Sequence, residues 1–193
     1  VNEELEHEQK IIVLIYLLDF IQCGNKPTRT ELSLVRTAAA YLKIHEHEFQ
    51  DTRAFTFGEI EKVVHRDWLL VIHAEGASVP EGAKQLVISK LEGEIQVLHI
   101  PSTDTYVFRY SGRMPLVMNG HPINTGRSYV WSVGSVIRNT KIGSIYFTWI
   151  SRQFIQANTE SYFVFTAEDI VFNYFNSKNG VKRFNLTEES GRL

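Results

Sequence analysis

The spacing of apolar residues changes between Arg53 and Asp67, and this change limits the possible folds more than any other feature. Before it, apolar residues such as Leu32 and Val35 recur at helical spacing, which is typical of amphipathic helices. After it, short apolar runs alternate with turn residues, which is typical of strands. The sequence therefore predicts an α+β fold, with a small helical domain over residues 1–55 and an antiparallel β-sandwich or β-roll over residues 67–157.

Three helices are predicted in the first part of the chain. The first covers residues 3–22, where acidic residues precede a dense apolar stretch and suit the positive end of the helix dipole. The second begins directly after Thr28, because Thr28 and Glu31 form the T-x-x-E pattern of a capping box. A third and shorter helix is predicted at residues 45–53. Residues 56–66 are interpreted as a short helix or a linker.

The second part of the chain is predicted to consist of short strands separated by turns. The strands are Trp68–His73, Gln85–Ser89, Glu94–Ile100, Thr105–Tyr110, Leu116–Met118, Tyr129–Trp131, Ser135–Arg138 and Ser144–Trp149, followed by a helical turn at Ile150–Gln156 and further strands at Tyr162–Phe165, Ile170–Tyr174 and Val181–Leu186. Turns are predicted at Glu92-Gly93, Ser111-Gly112, Asn119-Gly120, Thr125-Gly126, Val133-Gly134 and Asn179-Gly180. Asn119-Gly120 is the strongest hairpin signal among them, because both residue types tolerate positive φ.

The composition excludes several classes of protein. The formal net charge is −2, and basic residues do not form the strongly basic face of a general nucleic-acid-binding protein, so we expect no nucleic-acid partner. Cys23 is the only cysteine and cannot form an internal disulfide. The longest apolar run, Ile11–Leu18, is far shorter than the roughly 20 residues that span a bilayer. Because the chain begins with Val1 and ends soon after a predicted strand, we expect it to be part of a longer protein.

Residues that could support catalysis or metal binding are few and scattered. His45 and His47 are two positions apart, and such residues point in different directions on a helix, so we expect that they hold no metal. Cys23 follows an apolar helix, whose C-terminal end disfavours a thiolate. The sequence contains no complete P-loop, no G-x-G-x-x-G and no G-x-S-x-G motif. We therefore expect this chain to have no enzymatic activity, cofactor or metal of its own.

Residues 11–55 resemble half of a tellurite-resistance TerB-like helical domain. The resemblance depends on the T-x-x-E helix start and on the alanine-rich second helix. Such domains often carry an Asp-Gly and a Glu that can hold metal. Here Cys23-Gly24 occupies the position of the Asp-Gly pair, and Glu31 is the acidic position that matches. The resemblance thus implies the helical fold without a complete metal site.

Residues 170–193 resemble the opening of an ABC transporter ATPase domain. The matching residues are the strand Ile170–Tyr174 and the segment Gly191-Arg192-Leu193, with Gly191 lying 17 residues after Tyr174. In that family two antiparallel strands precede the phosphate-binding loop, and an aromatic residue at the end of the first strand stacks on adenine. The resemblance implies that Tyr174 is the adenine-stacking residue, that residues 161–193 are the opening strands of this domain, and that the full-length protein binds ATP and Mg²⁺.

The order of a helical segment, a β-rich segment and an ABC opening is similar to the N-terminal extensions of ABC-type ATPases of the Bacteroidetes group. Leu116–Arg138 adds to this similarity and faintly resembles the second half of a forkhead-associated domain. Residues 85–110 lack the Gly-Arg and Ser-x-x-His by which that domain reads phosphothreonine.

These resemblances imply a non-catalytic regulatory or docking region of an ABC transporter ATPase subunit. The partner would be a transmembrane transporter subunit or domain, and the ATPase domain would provide a possible homodimer contact. The protein would be cytoplasmic and peripheral to the inner membrane through the transporter. A free-standing adaptor, forkhead-associated-like or TerB-like and without ATPase activity, is the alternative, and an unrecognised hydrolase is a third interpretation.

Overall fold

The computed structural model describes residues 4–23, 26–155, 164–173, 175 and 180–189. The chain forms two compact units, Val1–Trp149 and Ile150–Leu193. Helices and strands are both extensive, which confirms the predicted α+β class. No helix in the described part of the chain has the length and apolar character that a membrane crossing requires.

The three predicted helices are α1 (His7–Gln22), α2 (Arg29–Tyr41) and α3 (Glu46–Thr56). The capping box before α2 is confirmed: the Glu31 backbone N–H donates to Thr28 Oγ1 at 3.2 Å, and the Thr28 backbone N–H donates to the Glu31 carboxylate at 2.7 Å. Two short 3-10 turns, Ile60–Lys62 and Arg66–Trp68, follow α3. The first lies inside the segment 56–66 that was predicted to be a short helix or linker, and the second begins at the last residue of that segment.

Nine strands lie between residues 69 and 146, and two more lie in the described part of the second unit. They are β1 (Leu69–His73), β2 (Lys84–Val87), β3 (Gly93–Ile100), β4 (Thr105–Gly112), β5 (Val117–Met118), β6 (His121–Pro122), β7 (Ser128–Val130), β8 (Val136–Asn139), β9 (Gly143–Tyr146), β10 (Val164–Asn173) and β11 (Gly180–Glu189). The predicted strand at residues 144–149 is wrong in its second half, because α4 (Phe147–Phe154) begins there. Phe147, Ile150 and Phe154 are three and four residues apart, which is helical spacing.

The first unit contains a five-stranded sheet, in the order β2-β1-β3-β4-β7, and a four-stranded sheet, in the order β6-β5-β8-β9. The strands of the first unit pair antiparallel, as predicted, except that β2 runs parallel to β1. A parallel neighbour requires a connection that returns the chain to the start of the first strand, and residues 74–83 provide it. The predicted turn at Asn119-Gly120 joins β5 and β6, with φ of +50° and +87°.

The helices and the five-stranded sheet share one hydrophobic core. Ile11 and Leu14 of α1 and Phe55 of α3 are buried together with Leu69 and Leu98 of the sheet. Burying these side chains supplies most of the stabilisation of such a unit. The compact units of the structure therefore divide the chain at residues 149 and 150, at a different place from the predicted boundary between Arg53 and Asp67.

The second unit contains the antiparallel hairpin of β10 and β11. Strands were predicted at Tyr162–Phe165 and Ile170–Tyr174. Their described residues, 164–165 and 170–173, lie in the single strand β10, with irregular register between Ala167 and Phe172. Asp169 adopts a φ of +54° in this stretch, which is typical of a β-bulge. Tyr162, Tyr174 and Asn179 lie outside the described residues.

The capping box makes the stability of the protein depend on pH. Hydrogen bonds from the backbone N–H and then the hydroxyl of Thr28 hold the pKa of Glu31 below its ordinary value of 4.5. A carboxylate with a depressed folded pKa stabilises the protein above its ordinary pKa, and this stabilisation is lost as the pH falls through the folded pKa. Glu31→Gln should therefore lose less stability than the wild type between pH 7 and acidic pH. Urea unfolding at several pH values measures this difference.

Glu81→Gln is the matched control for this prediction. Glu81 is exposed, and no described residue gives it a hydrogen bond or an ion pair. Its pH dependence should follow that of the wild type. If Glu31→Gln and Glu81→Gln altered the pH dependence of the free energy of unfolding equally, the capping box would have no specific role in it.

Candidate binding site

A cleft of about 590 Å³ lies in the helical part of the first unit. We call it the basic cleft, and its lining residues are Gln22, Lys26, Pro27, Leu32, Arg53, Phe57, Glu59 and Lys62. Its volume falls within the roughly 300–1,000 Å³ typical of small-molecule sites.

Three helices and a 3-10 turn contribute the walls of the basic cleft. The capping box starts α2 directly after Pro27, so that Pro27 and Leu32 stand on one side. Arg53 and Phe57 are four residues apart at the end of α3 and therefore share one helix face. Lys62 ends the 3-10 turn that follows α3. The local sequence thus fixes the positions of both the charged and the apolar lining residues.

The basic cleft carries three cationic side chains, Lys26, Arg53 and Lys62, and a single acidic one, Glu59. Lys62 Nζ forms an ion pair with Glu59 Oε1 at 2.9 Å. Arg53 is half-buried, its Nε atom is fully buried, and no described side chain accepts a hydrogen bond from that nitrogen. A buried donor without an acceptor is unfavourable.

The positive charge of Arg53 also helps to lower the pKa of Glu46, at the other end of α3. A hydrogen bond from the Gln50 side chain is the main cause of a lowered pKa of Glu46, and the charges of Arg36 and Arg53 add to it. Arg36 pairs with Glu46 directly, with an Nη2–Oε1 distance of 2.9 Å. Arg53 makes no such pair among the described residues. Its guanidinium is therefore available to a ligand in the basic cleft.

The described lining residues of the basic cleft are suited to binding an anion. Its described lining contains no serine, cysteine or histidine that a neighbouring base could activate. The sequence did not predict this site, because Lys26, Arg53 and Lys62 lie far apart and form no motif. The one usable signal was Pro27 before a capping box, which marks a chain turn beside a helix start.

His45 and His47 lie closer together than the sequence suggested. Their ring centroids are 5.5 Å apart and the rings are stacked. Residues two positions apart point in different directions only within a helix, and His45 is the N-cap of α3, with extended backbone angles (φ −65°, ψ 142°). No group of three or more His, Cys, Asp or Glu within the described residues is arranged to hold a metal. The absence of metal at His45 and His47 stays a prediction.

His65 extends this histidine pair into an aromatic cluster. Its ring centroid lies 5.5 Å from that of His47 and 4.0 Å from that of Trp68, on which it is stacked. Its Nδ1 atom is 2.5 Å from Oδ2 of Asp51, a buried carboxylate on α3. The cluster therefore joins α3 to the segment that leads into β1.

Cys23 and Glu31, the other residues considered from the sequence, have structural contacts. Cys23 is exposed at the end of α1, and its sulfur contacts the guanidinium of Arg127. Arg127 also pairs with the buried Asp19 at 2.8 Å, and Asp19 accepts a hydrogen bond from the Ser128 backbone N–H at 3.2 Å. These contacts attach α1 to β7. Glu31 is occupied by its capping role.

The adenine-stacking residue predicted from the sequence, Tyr174, lies outside the described residues, as does Gly191. The described neighbours of Tyr174 are Asn173 and Phe175. Asn173 is the last residue of β10 and pairs with Gly180 at the start of β11.

Comparisons with known proteins returned no match: no protein-family model, no curated protein and no solved structure is significantly similar to this chain. A function therefore has to be argued from the basic cleft and from the sequence.

Proposed function

We propose that this chain is a non-catalytic ligand-binding region with a regulatory or docking role. The basic cleft carries this proposal, because it joins an available guanidinium to an apolar wall and contains no nucleophile with an activating base among its described lining residues. A cleft of that chemistry binds a ligand without transforming it.

We propose further that this region precedes the ATP-binding domain of an ABC transporter ATPase subunit. The support comes from the resemblance of residues 170–193 to the opening of that domain, and from the antiparallel pairing of β10 with β11 that the resemblance requires. In this proposal the full-length protein binds ATP and Mg²⁺ and couples ATP hydrolysis to transport. It works with a transmembrane subunit at the cytoplasmic face of the inner membrane, and pairs of ATPase domains form the homodimer.

Tyr174→Ala in the full-length protein tests the ABC proposal. Stacking on an aromatic ring contributes about 1–3 kcal/mol per base, so the variant should bind ATP roughly 5- to 150-fold more weakly than the wild type. Tyr174→Phe should retain most of the affinity, because the ring face makes the contact. The measurement is the ATP dissociation constant of the protein extended through a following G-x-x-x-x-G-K-[ST] motif.

Phe175→Ala is the matched control, since Phe175 is the neighbouring aromatic residue and is almost fully exposed. It should bind ATP as the wild type does. If only Phe175→Ala lost ATP affinity, Phe175 and not Tyr174 would be the adenine-stacking residue. Unchanged binding in both variants, or a gene without the phosphate-binding motif downstream, would overturn the ABC proposal.

A free-standing adaptor is the second candidate. The observation that favours it is that the whole basic cleft, residues 22–62, lies within the compact unit Val1–Trp149. A binding function could therefore operate without an ATPase domain. The absence of a phosphate-binding motif downstream, together with ligand binding in the basic cleft, is the result expected for an adaptor.

A further inference from the structure

We infer that the basic cleft binds a small organic anion that has one carboxylate or phosphate head and an apolar body. This inference rests on the proposed ligand-binding function and is independent of the ABC proposal. It names the chemical class of the ligand.

Arg53 is the residue expected to bind the charged end of the ligand. Arg53 lines the cleft and forms no ion pair with a described residue, and a planar guanidinium matches the geometry of carboxylate and phosphate oxygens. Lys26 is an exposed cation of the same cleft. Lys62 is already paired with Glu59. Two cations are therefore free of a carboxylate partner in the described part of the cleft, which suits one anionic head group.

The apolar end of the ligand is expected to pack against Pro27, Leu32 and Phe57. All three line the cleft and are half-buried. A bare inorganic ion would leave this surface exposed to water and much of the roughly 590 Å³ volume unfilled. A ligand with an apolar body covers the surface and gains hydrophobic free energy.

The charge pattern argues against a polymer or a polyphosphate as the ligand. A nucleic acid requires a continuous basic stripe along its backbone, whereas the cations here line one cleft and the chain carries a net charge of −2. Glu59 adds a negative charge to the lining and would repel a densely charged ligand. A single anionic head is compatible with both features.

The test uses three probes of known chemistry with the chain of residues 1–193. Octanoate carries both features of the inferred ligand, inorganic phosphate has only the charge, and octyltrimethylammonium has the apolar body with the opposite charge. Calorimetry or NMR titration should show octanoate binding at least about tenfold more tightly than either of the other two probes. Arg53→Gln should weaken octanoate binding by at least about tenfold, as expected for the loss of a charge-assisted hydrogen bond.

Arg113→Gln is the matched control, because Arg113 is exposed and does not line the cleft. It should bind octanoate as the wild type does. Lys26→Gln and Leu32→Gln test the second cation and the apolar wall, and they keep the inference testable if Arg53→Gln fails to fold. Each should weaken octanoate binding while leaving the far-UV circular dichroism unchanged.

Three results would overturn the inference. If octanoate and octyltrimethylammonium bound equally well, the site would not require a negatively charged head group and would be only apolar. If phosphate bound as tightly as octanoate, the apolar body of the ligand would contribute nothing to the affinity. Octanoate binding that is unchanged in Arg53→Gln and Lys26→Gln would put the site elsewhere. These outcomes are independent of the ATP affinity of Tyr174→Ala, so the ABC proposal is tested separately.

Discussion

Asp51→Ala is expected to destabilise the first unit by about 2–6 kcal/mol. Asp51 is 1% exposed, and its carboxylate accepts hydrogen bonds from the backbone N–H groups of Val64 and His65, at 2.7 and 3.2 Å. Removal of the carboxylate leaves two partly buried donors without acceptors, and each unsatisfied donor costs about 1–3 kcal/mol. The free energy of unfolding, measured by urea denaturation, checks the prediction.

Asp67→Ala is the control for Asp51→Ala. Asp67 is exposed in the same connecting segment, and no described residue gives it a hydrogen bond or an ion pair. It should change the free energy of unfolding by less than about 0.5 kcal/mol. Asp51→Asn should fall between the two variants, because an amide oxygen can still accept one of the hydrogen bonds. Equal stability of Asp51→Ala and Asp67→Ala would show that the hydrogen bonds of Asp51 contribute nothing.

The role of Asp51 explains how the helical part and the sheet are joined. The carboxylate holds residues 64 and 65 against α3, and His65 in turn stacks on Trp68 immediately before β1. This attachment orients the chain as it leaves the helices and enters the five-stranded sheet. The sequence did not reveal it, because Asp51 lies in a helix rich in polar residues and its partners are 13 and 14 positions away.

Local signals in the sequence predicted the helices and most of the strands. The capping box of Thr28 and Glu31 fixed the start of α2, and Asn119-Gly120 marked a hairpin, since both depend on residues a few positions apart. The features that failed depend on distant residues. The parallel pairing of β2 with β1 is set by the path of a connecting loop, and alternation of apolar residues gives no direction for a strand.

The basic cleft could not be predicted for the same reason. Its cations come from the segment before α2, from the end of α3 and from a 3-10 turn. Each of them, taken alone in the sequence, is typical of a solvated surface. Only the packing of the three helices brings them together around Leu32 and Phe57.

Two glycines show how a correct local signal can be given the wrong interpretation. Glu92-Gly93 and Ser111-Gly112 were predicted to be turns, yet Gly93 and Gly112 face each other as the first and last residues of β3 and β4. Gly93 has a φ of +110°, which glycine adopts readily and other residues rarely do. The backbones approach so closely here that a side chain has no room at either position. Glycine is therefore required by a close strand contact, a cause that a single sequence does not distinguish from a turn.

Gly93→Ala is accordingly expected to destabilise the first unit by about 2–6 kcal/mol. A Cβ at residue 93 would overlap the carbonyl oxygen of Ser111 and would lie 2.5 Å from the Cα of Gly112. Both are backbone atoms, so no side-chain rotation relieves the overlap, and strand separation is the only response. The hydroxyl of Tyr110 resists that separation, because it donates to the Glu92 carbonyl at 2.9 Å and accepts from the Met114 backbone N–H at 2.9 Å.

Gly143→Ala separates the two causes of this effect. Gly143 is the first residue of β9, as Gly93 is of β3, and it also has a positive φ (+75°), but a Cβ there would meet no atom within 4 Å. It should cost only the strain of the backbone angle, about 1–2 kcal/mol. The free energies of unfolding of the two variants, measured in urea under the same conditions, give the contribution of the overlap as their difference. If Gly93→Ala is no less stable than Gly143→Ala, the close contact between β3 and β4 does not exist in solution.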